Sequence, residues 1–186
     1  MSCAIRITSK KAPDKYDLGA SKFFGTPTIP GTWLEDFDDD EIFFCQIRLS
    51  EIAAFDRGNN LPHIGYLYIF LHTEGGKRRF RADVRYYDGE PDTALEDFNE
   101  AVDGYEQYNE AWLIEFSETD ENEDCTRLFG VPSDWCYADE PPKLLLQYDP
   151  LDNDMGFLDS LDGFVYLFLA ENEKDLGAVT LWEEYT

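Results

Sequence analysis

The chain has 186 residues, of which 40 are Asp or Glu and 15 are Lys or Arg, giving a formal net charge of −25. A surface this negative repels nucleic-acid phosphates and anionic lipid, which argues against both as direct partners and favours basic proteins or cations. With 43% hydrophobic and 16% aromatic residues the chain can bury a core rather than stay disordered, and its length suits one domain over 1–186, or two small halves sharing a core.

The opening stretch "MSCAIRITSKK" contains no long apolar run, and no later stretch approaches ~18 uninterrupted apolar residues. Neither secretion nor a membrane span is expected. None of the four cysteines, Cys3, Cys45, Cys125 and Cys136, pairs at C-x-x-C spacing. They read as reduced structural thiols of a cytoplasmic protein.

In chain order, "KFFGTP" is a turn, because Gly25 tolerates positive φ and Pro27 fixes the chain beyond it. "FFCQI" is a buried strand, and "LSEIAAF" is a short helix capped by Ser50. In "GYLYIFL", Tyr66, Tyr68 and Phe70 alternate with Leu67, Ile69 and Leu71. Period-two geometry puts aromatics on one face and aliphatics on the other, so this strand is central and covered on both sides. "EGGK" and "DGEP" are turns flanking the strand "ADVRYY". "PDTALEDFNEAVDGY" places Leu95, Phe98, Val102 and Tyr105 on one helical stripe, with Thr93 and Glu96 as a capping box and Gly104 at the helix end. The strand "AWLIEFS" and the acidic loop "ETDENEDC" follow.

The later sequence repeats the earlier one. "KFFGTP" reappears as "RLFGVP", "FFCQI" as "LLLQY", "GYLYIFL" as "GFVYLFL" and "ADVRYY" as "GAVTLW", in the same order and at offsets that shrink slowly from 105 to 95 residues. This predicts an internal duplication with pseudo-symmetric halves at 20–90 and 125–186, separated by an acidic helix-strand insert at 91–124. The expected fold class is α+β, mostly antiparallel.

Between Tyr86 and Thr126 there are fifteen acids and no Lys or Arg. Asp97, Glu100, Asp103, Glu118, Asp120 and Glu121 are the candidates for an acidic face that docks a basic partner; the plainer reading is a solvated face beside the basic strand that carries Arg81 and Arg85. Gln46 and Gln147 stand at equivalent places in apolar strands. A buried amide must find partners for two donors and an acceptor. Either each amide ties its strand to a neighbouring loop, or Gln46 and Gln147, with Tyr68 and Tyr166, line a ligand pocket.

No catalytic residue, cofactor or metal is expected. The histidines, His63 and His72, show no H-x-x-H spacing, and there is no G-x-S-x-G, no P-loop and no G-x-G-x-x-G. The aspartates of "DPLDNDMGFLDSLDG" do not fit a calcium-loop pattern, and "DFDDDE" reads as a solvated loop.

Taken together, "SKFFGTPTIP", "FFCQIRLSEI", "LPHIGYLYIF", "RLFGVPSDW" and "LLLQYDPLDNDMGFLDSLDGFVYLFLAENEKDL" resemble the bacterial YwqG-like family over about residues 20–185. The chain departs from the family pattern in "KFFG", where two glycines are usual, and lacks the Trp common before the last strand, Phe157 standing in for it. The resemblance implies a duplicated α+β fold and a bacterial intracellular protein without an assigned activity, some relatives being encoded among toxin and immunity genes. The expected function is a non-enzymatic acidic interaction module, of immunity type, that binds a basic partner such as a toxin. The alternative is a small-molecule binder or enzyme with its pocket between the repeat halves.

Overall fold

The computed structural model describes residues 4–73, 80–135, 137–158, 163–169 and 179–183. Among the described residues twelve strands form: β1 (Ala4–Lys11), β2 (Lys22–Phe23), β3 (Thr28–Ile29), β4 (Glu41–Arg48), β5 (Tyr66–Thr73), β6 (Phe80–Tyr87), β7 (Thr93–Ala94), β8 (Trp112–Thr119), β9 (Arg127–Leu128), β10 (Leu144–Tyr148), β11 (Val165–Phe168) and β12 (Thr180–Glu183). The strand pairings along β2, β4, β5 and β6, and along β9 to β12, are antiparallel.

The architecture is all-β, which corrects the α+β expectation. Among the described residues every helical segment is a 3-10 turn of three or four residues. The helix expected over "PDTALEDFNEAVDGY" does not form, and the reason is local. Thr93 and Ala94 pair with Ile29 and Thr28 as strand β7. Asp97 adopts the left-handed conformation at φ 56°, and Val102 is extended at φ −106°, so only Phe98–Ala101 coils. Asn99 is fully buried. Its Oδ1 accepts from the Phe43 N–H at 2.8 Å and its Nδ2 donates to the Phe43 carbonyl at 3.1 Å. Phe43 begins the bulge in β4, where the ladder to β5 shifts register. A bulge leaves backbone groups unpaired, and Asn99 satisfies them. Leu95 and Phe98 still pack on the aromatic core, so the apolar stripe points inward without a helix. The helix expected at "LSEIAAF" is likewise a single 3-10 turn, Leu49–Glu51.

The chain divides into two compact units, one of Ser9–Glu51 and Pro62–Ile114, the other of Met1–Thr8, Ile52–Leu61 and Glu115–Thr186. In the first, strands run in the order β2-β4-β5-β6, with Trp112 and Leu113 of β8 paired beside β2. Every residue from Tyr66 to Leu71 in β5 is buried. Tyr66, Tyr68 and Phe70 stack along one face, 6.1 and 6.4 Å apart, and Ile29, Phe43, Trp33, Phe37 and Phe98 pack on them.

In the second unit the order is β1-β9-β10-β11-β12. Leu144 to Tyr148 are all buried. Residues related by the sequence repeat make related bonds in each unit. Phe24 and Gly25 have φ of 53° and 73°, and Phe129 and Gly130 have 60° and 86°. The Phe24 N–H donates to the Phe44 carbonyl, and the Phe129 N–H to the Leu145 carbonyl. Trp33 meets Tyr68 edge-on at 5.4 Å, and Trp135 meets Tyr166 at 5.3 Å. Among the described residues no helix is long and apolar enough to cross a membrane.

Candidate functional site

Gln46 and Gln147 are both fully buried and both bonded to their surroundings. Gln46 Oε1 accepts from the Thr28 N–H at 3.0 Å, and its Nε2 donates to the carbonyls of Leu18 and Ala20 at 2.9 and 3.0 Å. Gln147 Oε1 accepts from the Ser133 N–H at 3.0 Å and from Arg127 Nη2 at 3.1 Å, while its Nε2 donates to the Cys125 carbonyl at 3.0 Å. Each amide therefore ties its strand to loop backbone. Tyr68 and Tyr166 lie opposite these glutamines on β5 and β11. Both rings are fully buried. The Tyr166 hydroxyl donates to Asp134.

The acidic candidates fall in both units. Asp97, Glu100 and Asp103 are exposed in the first, and Glu118, Asp120 and Glu121 are exposed in the second. Glu118 is paired with Arg57.

The richest chemistry lies in the first unit, at the end of the aromatic face where β4 begins. The strand register sets Glu41 opposite His72, Phe70 opposite Asp83 and Tyr68 opposite Arg85. Facing residues share a side of the sheet, so these four polar side chains converge at the edge of the aromatic layer. Glu41 Oε1 accepts from Arg85 Nη2 at 2.9 Å and lies 3.2 Å from His72 Nε2; its Oε2 accepts from the Asp38 N–H at 2.9 Å. Arg85 also donates through Nε to Asp83 at 2.7 Å. Its guanidinium sits 4.6 Å from the Phe37 ring centre and 5.2 Å from that of Phe70. The Glu41 side chain is wholly buried. Burial lifts its carboxyl above the usual range, against the opposing pull of the Asp38 N–H, Arg85 and His72.

Above this network opens a cleft of about 460 Å³. Phe37, Phe98 and Leu95 form its apolar wall, and the exposed carboxylates of Asp38, Asp39, Glu96 and Asp97 rim it. Of the sequence-predicted residues only Asp97 belongs here. No sequence spacing links Glu41, His72, Asp83 and Arg85, because they come from three strands. "DFDDDE", expected to be a solvated loop, supplies Asp38, Asp39 and the buried Glu41.

Two of the four cysteines, Cys45 and Cys125, are buried free thiols, and burial raises the pKa of each. They are poor nucleophiles. Cys3 and Cys136, and the "EGGK" turn, lie outside the described residues.

No protein-family model matches the chain, and no curated protein matches it.

Proposed function

We propose that the protein is a non-enzymatic interaction module of the YwqG-like kind, acting in the cytoplasm as an immunity-type protein, and that its acidic-aromatic cleft receives a Lys or Arg side chain of a basic partner. The observation that carries this reading is the pairing of exposed carboxylates with ring faces in one concavity. The apolar stem of a long basic side chain would lie against Phe37, Phe98 and Leu95 while its charged head meets Asp38 or Asp97. Arg85 offers an internal precedent, because its guanidinium already packs on Phe37 with carboxylates at its edges. The net charge of −25 would speed the approach of a cationic partner and hold off anionic competitors.

The cleft volume also suits a small organic cation, which is the runner-up. Calorimetry with a Lys/Arg-rich peptide, and separately with free arginine, decides between them. The module reading expects peptide binding that weakens as salt rises and is lost in the double variant Glu96→Lys, Asp97→Lys. Binding of free arginine as tightly as the peptide favours the small-molecule reading. Peptide binding indifferent to the charge reversal removes the cleft from the account.

A further inference from the structure

We propose that Asp38, Asp40 and His72 form a binding site for a divalent first-row metal ion of the zinc type, with Glu41 orienting the histidine from behind. Nothing in the interaction reading requires this site, although Asp38 borders both.

The argument begins at His72. The imidazole is buried, with 7% of the residue exposed. Its Nε2 lies 3.2 Å from Glu41 Oε1, and that carboxylate is held in turn by Arg85 and by the Asp38 N–H. Nδ1, the other ring nitrogen, faces outward toward Asp40 Oδ1 at 3.5 Å. With the proton on Nε2 toward Glu41, the Nδ1 lone pair would be free to meet an ion. A carboxylate behind one ring nitrogen and an open lone pair on the other is the arrangement in which histidine serves as a metal ligand, the carboxylate fixing tautomer and orientation.

The spacing fits as well. Atoms bound at zinc-type distances and tetrahedral angles stand about 3.4 Å apart. Nδ1 and the Asp40 oxygen meet that value, and a carboxylate oxygen of Asp38 lies within 4.8 Å of both. Asp38 and Asp40 are exposed, so an ion can enter from solvent, and water can complete its coordination. One imidazole with two carboxylates suits zinc or manganese rather than an ion that prefers thiolate. A second grouping, Glu41, His72 and Asp83, also brings three ligand atoms together. Arg85 occupies the carboxylates of Glu41 and Asp83 and places a positive charge among them, so that side of the histidine repels a cation. Sequence spacing gave no hint of this site, since the motif rules seek paired histidines and here the single histidine stands 32 residues beyond Asp40.

The test is calorimetric titration of the metal-free full chain with zinc chloride. One ion per chain is expected. Asp40→Asn should weaken binding at least about 10-fold, and Glu41→Gln about 10- to 100-fold. Asp39→Asn removes the same charge from the neighbouring residue, which is outside the ligand set, and should change affinity by less than about 2-fold. Equal losses in Asp39→Asn and Asp40→Asn would reduce the effect to general attraction of cations and overturn the proposal. Absence of stoichiometric binding would overturn it too. Nitrogen-15 spectra of His72 give an independent reading: zinc should shift Nδ1 with Nε2 still protonated, whereas an imidazolium bridging Asp40 and Glu41 before and after zinc addition would refute the site.

Discussion

Gln46 lies directly opposite Tyr68 across the β4–β5 ladder, and its amide is satisfied by Thr28, Leu18 and Ala20 rather than by the tyrosine. The Gln147–Tyr166 pair repeats this across β10 and β11, and the bond partners correspond as well: Thr28 lies six residues after Lys22, and Ser133 six after Arg127. The bonds each amide makes are those of a strut between strand and loop, made once in each unit.

Replacing either strut should be costly. Gln46→Leu keeps the volume but leaves the Thr28 N–H and the Ala20 carbonyl unpaired, the Leu18 carbonyl keeping its bond from Lys22, for a loss of about 3 kcal/mol. Gln147→Leu should cost at least as much, since Arg127 also loses an acceptor while fully buried. Urea denaturation with unchanged m-values would measure both. A loss below about 1 kcal/mol in either would show that water takes over the role.

Lys22 predicts a particular pH dependence. It is fully buried, donates to the Leu18 carbonyl, and is pulled down to about 7 by desolvation. Unfolded, it titrates at its ordinary value near 10.5. Between those limits the unfolded chain holds a proton that the folded chain has released, so stability rises with pH across the window. Below about pH 7 both states are charged and the burden on the fold is complete. Lys22→Met should therefore raise the thermal midpoint most at or below neutral pH, with the gain shrinking toward pH 10.5. A gain that stays constant with pH would separate Lys22 from the effect.

Two glycines should behave differently. Gly65 sits at φ +75°, where an added Cβ would collide with the Tyr87 carbonyl oxygen and come within 2.8 Å of the Asp88 Cα. The same Gly65 carbonyl accepts from the Leu49 N–H, so the backbone cannot easily retreat. Gly104 sits at φ +86° with nothing within 4 Å of the added carbon. Gly104→Ala should cost about 1 kcal/mol from conformation alone, and Gly65→Ala about 3 kcal/mol or more. Thermal melts of both variants test the difference, and equal losses would show that the contact at Gly65 relaxes.

Local chemistry determined much of this protein. Alternating aromatic and aliphatic residues marked β5 and β11, and the short apolar runs "FFCQI" and "LLLQY" marked β4 and β10, because such patterns are legible in any single strand. The paired Phe-Gly turns were legible for a similar reason, and "PGTW" with "PSDW" could have flagged Trp33 and Trp135 as equivalent. What only the tertiary structure decided were the two features that depend on strands meeting. The helical stripe from Leu95 to Tyr105 was read from periodicity, but Asn99 bonds the bulge in β4, a long-range demand no local pattern carries. Glu41, His72, Asp83 and Arg85 become one network only because β4, β5 and β6 align in register, and that register is set by burial of whole faces rather than by the four polar residues themselves.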